Sequence, residues 1–362
     1  MKQLTITFPP STKNRNYPIY IGTNLVEKIT SLFDLTQYSK IFVITDTTVE
    51  KLFLKKLLRN LPEQTKYIAV PPGEKAKHIE SVMKIWTAMK DAGLDRKSLV
   101  INLGGGVIGD VGAFATSTYM RGLAFINIPT TLLAQVDESV GGKNGIDFAG
   151  IKNIVGTFDQ PDGVIIDLQM LKTLPKRAFL ASFVEIIKHG MIHDKHYFEK
   201  VTSKYPTDFT DEELIAIIYG SCEIKAYYVQ NDEQEENGKR KILNFGHTIG
   251  HAIEAIKLET DEPLLHGEAV SLGIIAESEI SRQMGLLSSE EMGVIKHALQ
   301  KADAPITVTN IVIDDILKRI KSDKKNTFNK INFSLLQGIG NAVYNRQVPE
   351  EIISSGIKAV LK

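Results

Sequence analysis

The residues with the most chemical potential lie in the second half of the chain, where NFGHTIGHAIE and PLLHGE bring His247, His251 and His266 into one short stretch. Histidines four apart share a helix face, so His247 and His251 can reach a common ion, while His266 opens a separate helical segment. Three imidazoles set among glycines that permit close approach favour a metal or acid–base role over three unrelated structural histidines. A carboxylate should complete the set. FVEIIKHG offers Glu185 on an otherwise apolar helix face, where a glutamate is costly unless it is paired or ligating. Lys188, one turn on, could instead pair with it. Spacing decides neither that choice nor which two of the three histidines join Glu185.

A second constellation lies upstream. In LVINLGGGVIGDVGAFAT a strand ends in glycines and runs on as a helix, and Gly104, Gly106 and Gly109 satisfy G-x-G-x-x-G. Such glycines let backbone amides and a helix N-terminus approach a pyrophosphate, although glycine turns after strands are also common structural features. The acidic residue usual about 20 positions downstream is missing. Asp46, at the end of KIFVITD, is the upstream substitute for the ribose hydroxyls, its structural alternative being an N-cap before TTVEKLF. PPGEKAKH adds Glu74 and Lys77 on the same expected sheet edge. The other polar clusters are mostly basic: Arg121, Lys143, Lys152 with Asn153, Lys225, Arg240 with Asn244, and the pair Lys324 and Lys325. Basic groups in glycine-rich loops suggest a small polyanionic ligand, and with a metal and a dinucleotide they argue for a phosphorylated carboxylic acid.

The elements that must position these groups follow from the pattern of the chain. Up to about residue 170, YPIYIG, KIFVITD, KYIAV, SLVINLG, FINIPTT and VIID alternate with helix-patterned segments such as HIESVMKIWTAMKDAG, the rhythm of parallel strands with crossover helices. Beyond about 175 the pattern becomes long amphipathic helices, with capping boxes at Thr210/Glu213 and Ser288/Glu291. The expected fold is therefore an α/β, Rossmann-like N-terminal domain over 1–175 followed by an all-α domain over 176–362. The glycine- and asparagine-rich stretch from Asp137 to Pro161 has no clear period and reads as a long functional loop.

Bulk properties narrow the function classes. Of 362 residues, 43% are hydrophobic and 24% charged, enough material for two cores. Lysine plus arginine (43) balance aspartate plus glutamate (43), so no long-range field draws the protein to nucleic acid or an anionic membrane. No apolar run approaches the ~20 residues needed to span a bilayer. MKQLTITFPPS lacks the pattern of a signal peptide and Cys222 is the lone cysteine, so a cytoplasmic protein without disulfides is expected, with Cys222 a buried structural thiol.

Taken together, GGGVIGDVGAFATSTYMRG, IPTTLLAQVDESVGGKNGID, VEIIKHG, LNFGHTIGHAIE and LHGE resemble the 3-dehydroquinate synthase family, from ITD at 44–46 to DKKN at 323–326. The resemblance implies a homodimer with its active site in the cleft between the domains. It also implies NAD and a divalent metal, zinc or cobalt, with Glu185, His247 and His266 as ligands and His251 as a polar catalytic neighbour. NAD would lie against Asp46, Glu74, Lys77, Gly105, Gly106, Asp110, Thr130, Thr131, Lys143, Lys152 and Thr173. Catalytic roles would fall to His251, Lys188, Lys225, Asp137 and Asn244. Substrate would be bound by Lys143, Asn153, Arg240, Lys325 and an Arg121 that reaches across the dimer to the phosphate. The implied substrate is 3-deoxy-D-arabino-heptulosonate 7-phosphate. Rival readings are a sibling cyclase acting on a substrate without a carboxylate, a metal-dependent polyol dehydrogenase, and a catalytically dead NAD-binding protein. A dead copy would be expected to have lost Glu185, His247 or His266, and all three are present.

Overall fold

The computed structural model describes residues 16–149, 151–236, 238–322 and 331–362; Lys324 and Lys325 lie outside them. The strands are β1 (Ile19–Gly22), β2 (Ile41–Asp46), β3 (Lys66–Val70), β4 (Leu99–Gly104), β5 (Ala124–Pro129), β6 (Lys143–Phe148), β7 (Ile151–Phe158), β8 (Gly163–Asp167), β9 (Asn332–Leu336) and β10 (Ala342–Gln347). A six-stranded sheet has the order β1-β8-β5-β4-β2-β3, and β2 pairs in parallel with both β3 and β4, as β5 does with β8. Every residue of β2 and β4 is buried, as the continuous apolar runs IFVIT and LVINL require of strands covered on both faces.

The chain forms two compact units: Leu25–Ile128 and Gly142–Ile166 with the chain up to Tyr20, and Ile21–Asn24, Pro129–Gly141 and Asp167–Lys362. The sequence pattern changes near residue 175, whereas Pro129–Gly141 already belongs to the second unit. In the first unit, Phe42, Ile44 and Val100 of the sheet share a core with Val82, Ile85 and Met89 of the helix Ile79–Asp91 and with Val111 and Phe114 of the helix Gly106–Thr118. The stretch read from sequence as a long loop is instead an antiparallel hairpin of β6 and β7. Its Gly145 faces Gly156 in register, and a Cβ on Gly156 would overlap the Asn144 carbonyl, so the close approach demands residues that ordinarily signal a loop.

The second unit is built on the helices Lys176–His193, Asp211–Asn231, His247–Leu258, His266–Gln283, Ser289–Lys301, Ile313–Ser322 and Glu350–Lys358. Both expected capping boxes form: Thr210 Oγ1 accepts from Glu213 N at 3.2 Å, and Ser288 Oγ accepts from Glu291 N at 3.1 Å. The unit is not all helical, because β9 and β10 pair as an antiparallel hairpin. FSLL of β9 is buried throughout and so lacks the alternation that would mark a half-exposed strand. No described helix is long and apolar enough to cross a membrane.

Candidate active site and metal centre

Three helices of the second unit bring their polar groups to one point. Glu185, completely buried on Lys176–His193, has Oε1 3.6 Å from Nε2 of His247 and 3.9 Å from Nε2 of His266. A Cβ on Gly267 would overlap the Ala181 carbonyl, and one on Gly273 the Gly246 carbonyl, so glycine is what lets His266–Gln283 press against both neighbours. One ring nitrogen from each of His247, His251 and His266 lies within 4.8 Å of the others.

Hydrogen bonding fixes which ring nitrogens face the centre. His247 Nδ1 is 3.1 Å from the Phe245 carbonyl, an acceptor only, so Nδ1 carries the proton and Nε2 presents a lone pair to Glu185. His266 repeats this, with Nδ1 3.3 Å from Glu254 Oε2. Burial works against a charged His266 ring, but the hydrogen bond and charge of Glu254, together with the charges of Glu185 and Asp137, raise its pKa overall, the mark of a position that favours positive charge. Two imidazole lone pairs and a carboxylate oxygen thus converge at distances too long for hydrogen bonds, and the buried Glu185 Oε1 has no hydrogen-bond partner among the described residues. Such electron-rich atoms repel one another unless a cation lies between them. Ligands about 2.1 Å from a tetrahedral ion stand roughly 3.4 Å apart, so the donor set fits a divalent metal.

The pairing of Glu185 with Lys188, weighed from sequence as an alternative, coexists with this arrangement. Lys188 Nζ lies 2.5 Å from Glu185 Oε2, a contact that lacks hydrogen-bond angles, and donates to the Leu243 carbonyl at 2.8 Å. Nearby in sequence, His189 is buried, with Nδ1 2.6 Å from Ser221 Oγ; burial first, then Lys188, pushes it down to about 3. Lys225 donates to both the carbonyl and Oδ1 of Asp137. Burial opposes ionisation of Asp137, but Lys225 and then Lys188 hold its partly exposed carboxyl well below the usual range. Arg240 Nη1 donates to the Gly141 carbonyl at 3.2 Å and the Glu233 carbonyl at 2.7 Å. Asn244 ends the 3-10 turn Lys239–Asn244, immediately after Leu243. Thr131 Oγ1 accepts from Ala134 N at 3.2 Å, Thr130 beside it is buried, and Thr173 Oγ1 donates to the Met170 carbonyl at 3.3 Å.

The first unit carries the other expected residues. Gly105 is the N-cap of Gly106–Thr118, and Asp110 of that helix takes an ion pair from buried Lys77 at 2.5 Å. Burial works against the Lys77 charge, but Asp110 raises its pKa overall. Asp46 performs the N-cap role considered from sequence, accepting from Thr48 N at 2.8 Å and Val49 N at 3.0 Å. Glu74 is exposed, as are Lys143, Lys152 and Asn153 on the β6–β7 hairpin, where Asn153 N donates to Asp147 Oδ1 at 2.8 Å. Met120 and Arg121 follow Gly106–Thr118 with left-handed φ of 51° and 72°.

Sequence reading missed three supporting groups. Glu254 shares a helix face with His247 and His251 at seven and three residues' spacing, a signal that was available. Glu268, in LHGE, accepts from Arg177 Nε and Nη2, both at 2.7 Å, and from Leu265 N at 2.8 Å, fixing the start of the His266 helix. Glu277, buried on the helix that begins with His266, accepts from Gly246 N at 2.7 Å and had no distinguishing signal in sequence.

A glycine turn opening a helix beside a parallel sheet, and a helical unit with a carboxylate–imidazole centre, are the parts of one known fold class. The fold is similar to that of 2-epi-5-epi-valiolone synthase from Streptomyces hygroscopicus subsp. jinggangensis, solved with NAD+ and Zn2+ bound, at TM-score 0.86 and 24% identity over 98% of this chain and 99% of that one. A 2-deoxy-scyllo-inosose synthase complexed with carbaglucose-6-phosphate, NAD+ and Co2+ gives TM-score 0.85 and 24% identity over 95% and 96%. Sequence narrows this further. Residues 67–181 match the 3-dehydroquinate synthase N-terminal family and residues 182–326 the C-terminal one. The 3-dehydroquinate synthase of Ruminiclostridium cellulolyticum is 42% identical over 91% of this chain and 92% of its own, and that of Nitrosospira multiformis 37% over 98% and 97%. The chain belongs to the 3-dehydroquinate synthase family.

Proposed function

We propose that the protein converts 3-deoxy-D-arabino-heptulosonate 7-phosphate to 3-dehydroquinate and inorganic phosphate, with NAD and a divalent metal, zinc or cobalt, as resident cofactors. The observation that carries this reading is the convergence of Glu185 Oε1 with the Nε2 lone pairs of His247 and His266 in a chain 42% identical to a curated 3-dehydroquinate synthase. When bound, NAD supplies transient oxidation and re-reduction of a substrate alcohol, and the metal supplies Lewis-acid polarisation of its oxygens.

The chain's own residues have the following parts. Glu185, His247 and His266 hold the cation, and His251, in the same imidazole group, relays protons. Lys188 and Lys225 steady negative charge developing on oxygen, with Asp137 keeping Lys225 oriented through two accepted hydrogen bonds. The planar guanidinium of Arg240 suits the substrate carboxylate, Asn244 adds a neutral polar contact, and Lys325 joins the anion-binding set. Catalysis is then mostly positioning, because a ketone beside the leaving group already acidifies the C–H whose proton must depart.

The reading assigns NAD binding to the 1–175 portion, through the Gly105–Gly106 turn, Lys77, Asp110 and the carboxyl end of β2. Metal binding falls to 176–362, and substrate binding to that portion together with Asp137, Lys143 and Asn153. It also takes the working protein to be a homodimer. Support comes from the β6–β7 hairpin, which exposes the apolar side chains of Phe148 (55%), Ile151, Ile154 and Phe158 (47%), surface that a second copy would cover. Arg121, held in a strained left-handed turn, is the group assigned to the partner's phosphate. A cytoplasmic enzyme is implied, consistent with its one buried free thiol.

The deciding experiment incubates the protein with the heptulosonate phosphate, follows phosphate release, and checks that NAD is not consumed. Release without NAD consumption is expected. Turnover of a hexose phosphate instead, or steady accumulation of NADH, would replace the reading with a sibling cyclase or a polyol dehydrogenase.

A further inference from the structure

Within the second unit, the helix His247–Leu258 begins without a cap from its own chain neighbourhood: its N-cap is Gly246, at φ 80°, which has no side chain to offer. The first amides of a helix must still find acceptors when buried. They find one in Glu277, a completely buried residue on His266–Gln283, whose Oε2 accepts from Gly246 N at 2.7 Å and whose Oε1 accepts from Ile249 N at 3.0 Å. One carboxylate therefore grips the backbone on both sides of His247. A buried glutamate is costly unless its oxygens are bonded, and here the positive end of the helix also meets its charge.

The grip is reinforced one turn away. Gly273, four residues before Glu277, is the position where any side chain would overlap the Gly246 carbonyl, so the same helix admits the carbonyl of Gly246 and takes its amide. That helix also begins with His266. The separation of the His247 and His266 rings is consequently tied to one rigid element.

We propose that Glu277 is a positioning residue for His247: acting through the backbone of Gly246 and Ile249, it keeps His247 Nε2 aimed at Glu185 and His266. This rests on the reading of His247 as a metal ligand, so the test must separate the two. Metal-depleted wild type, Glu277→Gln, Glu277→Ala and His247→Ala would be titrated with cobalt against a chromophoric chelator. The cobalt ligand-field spectrum and the melting temperature of the metal-free form would be recorded alongside. Removal of a group that orients a ligand typically weakens metal affinity by roughly ten- to hundred-fold, the range expected for Glu277→Ala.

Glu277→Gln, which keeps one acceptor but turns an NH2 donor toward the other amide, should show a smaller loss and an altered cobalt spectrum. It serves as the test if the alanine variant does not fold. Wild-type affinity and spectrum in Glu277→Gln, with affinity lost in His247→Ala, would overturn the positioning role even if melting temperature fell. Wild-type affinity in His247→Ala would overturn the metal reading itself, and this inference with it.

Discussion

Acidification should destabilise the helical unit through His189, and the size of the effect can be worked from its surroundings. The imidazole is fully buried between Lys176–His193 and Asp211–Asn231, bonded through Nδ1 to Ser221, while Nε2 has no partner among the described residues. Burial and then Lys188 push it from 6.5 to about 3. A depressed folded pKa means that the folded state binds fewer protons. The stabilisation is therefore complete above 6.5 and is lost as pH falls from there toward 3. Because each pH unit in that window changes the proton-binding ratio about tenfold, the loss is on the order of 1 kcal/mol at pH 5.5 and 3 kcal/mol at pH 4.5. Urea unfolding with a chelator present, for wild type and His189→Gln, isolates the contribution of this imidazole. Far-UV circular dichroism is the probe, because the lone tryptophan, Trp86, lies in the other unit. The stability difference between the two proteins should shift by about these amounts in favour of the variant as pH falls. A difference that stays constant from pH 7.5 to 4.5 would refute the argument.

Three further outcomes follow from the geometry. His266→Ala should lose bound metal and turnover together while circular dichroism stays unchanged, and full activity with undiminished metal would remove His266 from the ligand set. Cys222, whose thiol burial pushes up to about 12 and whose Sγ lies 3.4 Å from the Gln135 carbonyl, should resist maleimide at pH 8 in the folded protein and label fully in urea; labelling of the native protein at the unfolded rate contradicts its placement. Ile154→Glu, on the exposed hairpin, should shift sedimentation from dimer toward a monomer of 40.2 kDa and depress turnover with it; an unchanged dimer would move the interface elsewhere.

Much of the first unit could be read from sequence because its signals are local. KIFVITD and SLVINLG are continuous apolar runs that only a doubly covered strand makes stable, and each became the expected strand. Both hairpins escaped, for opposite reasons. Lys143–Phe148 and Ile151–Phe158 contain glycine and asparagine where strand propensity asks for branched residues, whereas Asn332–Leu336 is too short and too apolar to show a period. In each case pairing with the neighbouring strand overrides a weak local signal.

The candidate site divides along the same line. His247 and His251 were legible as a pair because four residues of helix put them on one face, but the approach of Glu185 and His266 depends on how three helices cross. Those crossings are governed by Gly267 and Gly273, whose significance appears only when the atoms opposite them are known. The contrast between Glu277 and Glu279 makes the limit concrete. They stand two residues apart in AESEIS, and Glu279 forms a local pair with Arg282 at 2.7 Å of the kind sequence spacing anticipates. Glu277 faces inward to two backbone amides some thirty residues upstream. Nothing in its neighbours distinguishes it, because the group it serves is brought to it by tertiary packing. Residues that touch a ligand announce themselves by type and clustering; residues that aim those side chains are recognisable only by what their hydrogen bonds hold still.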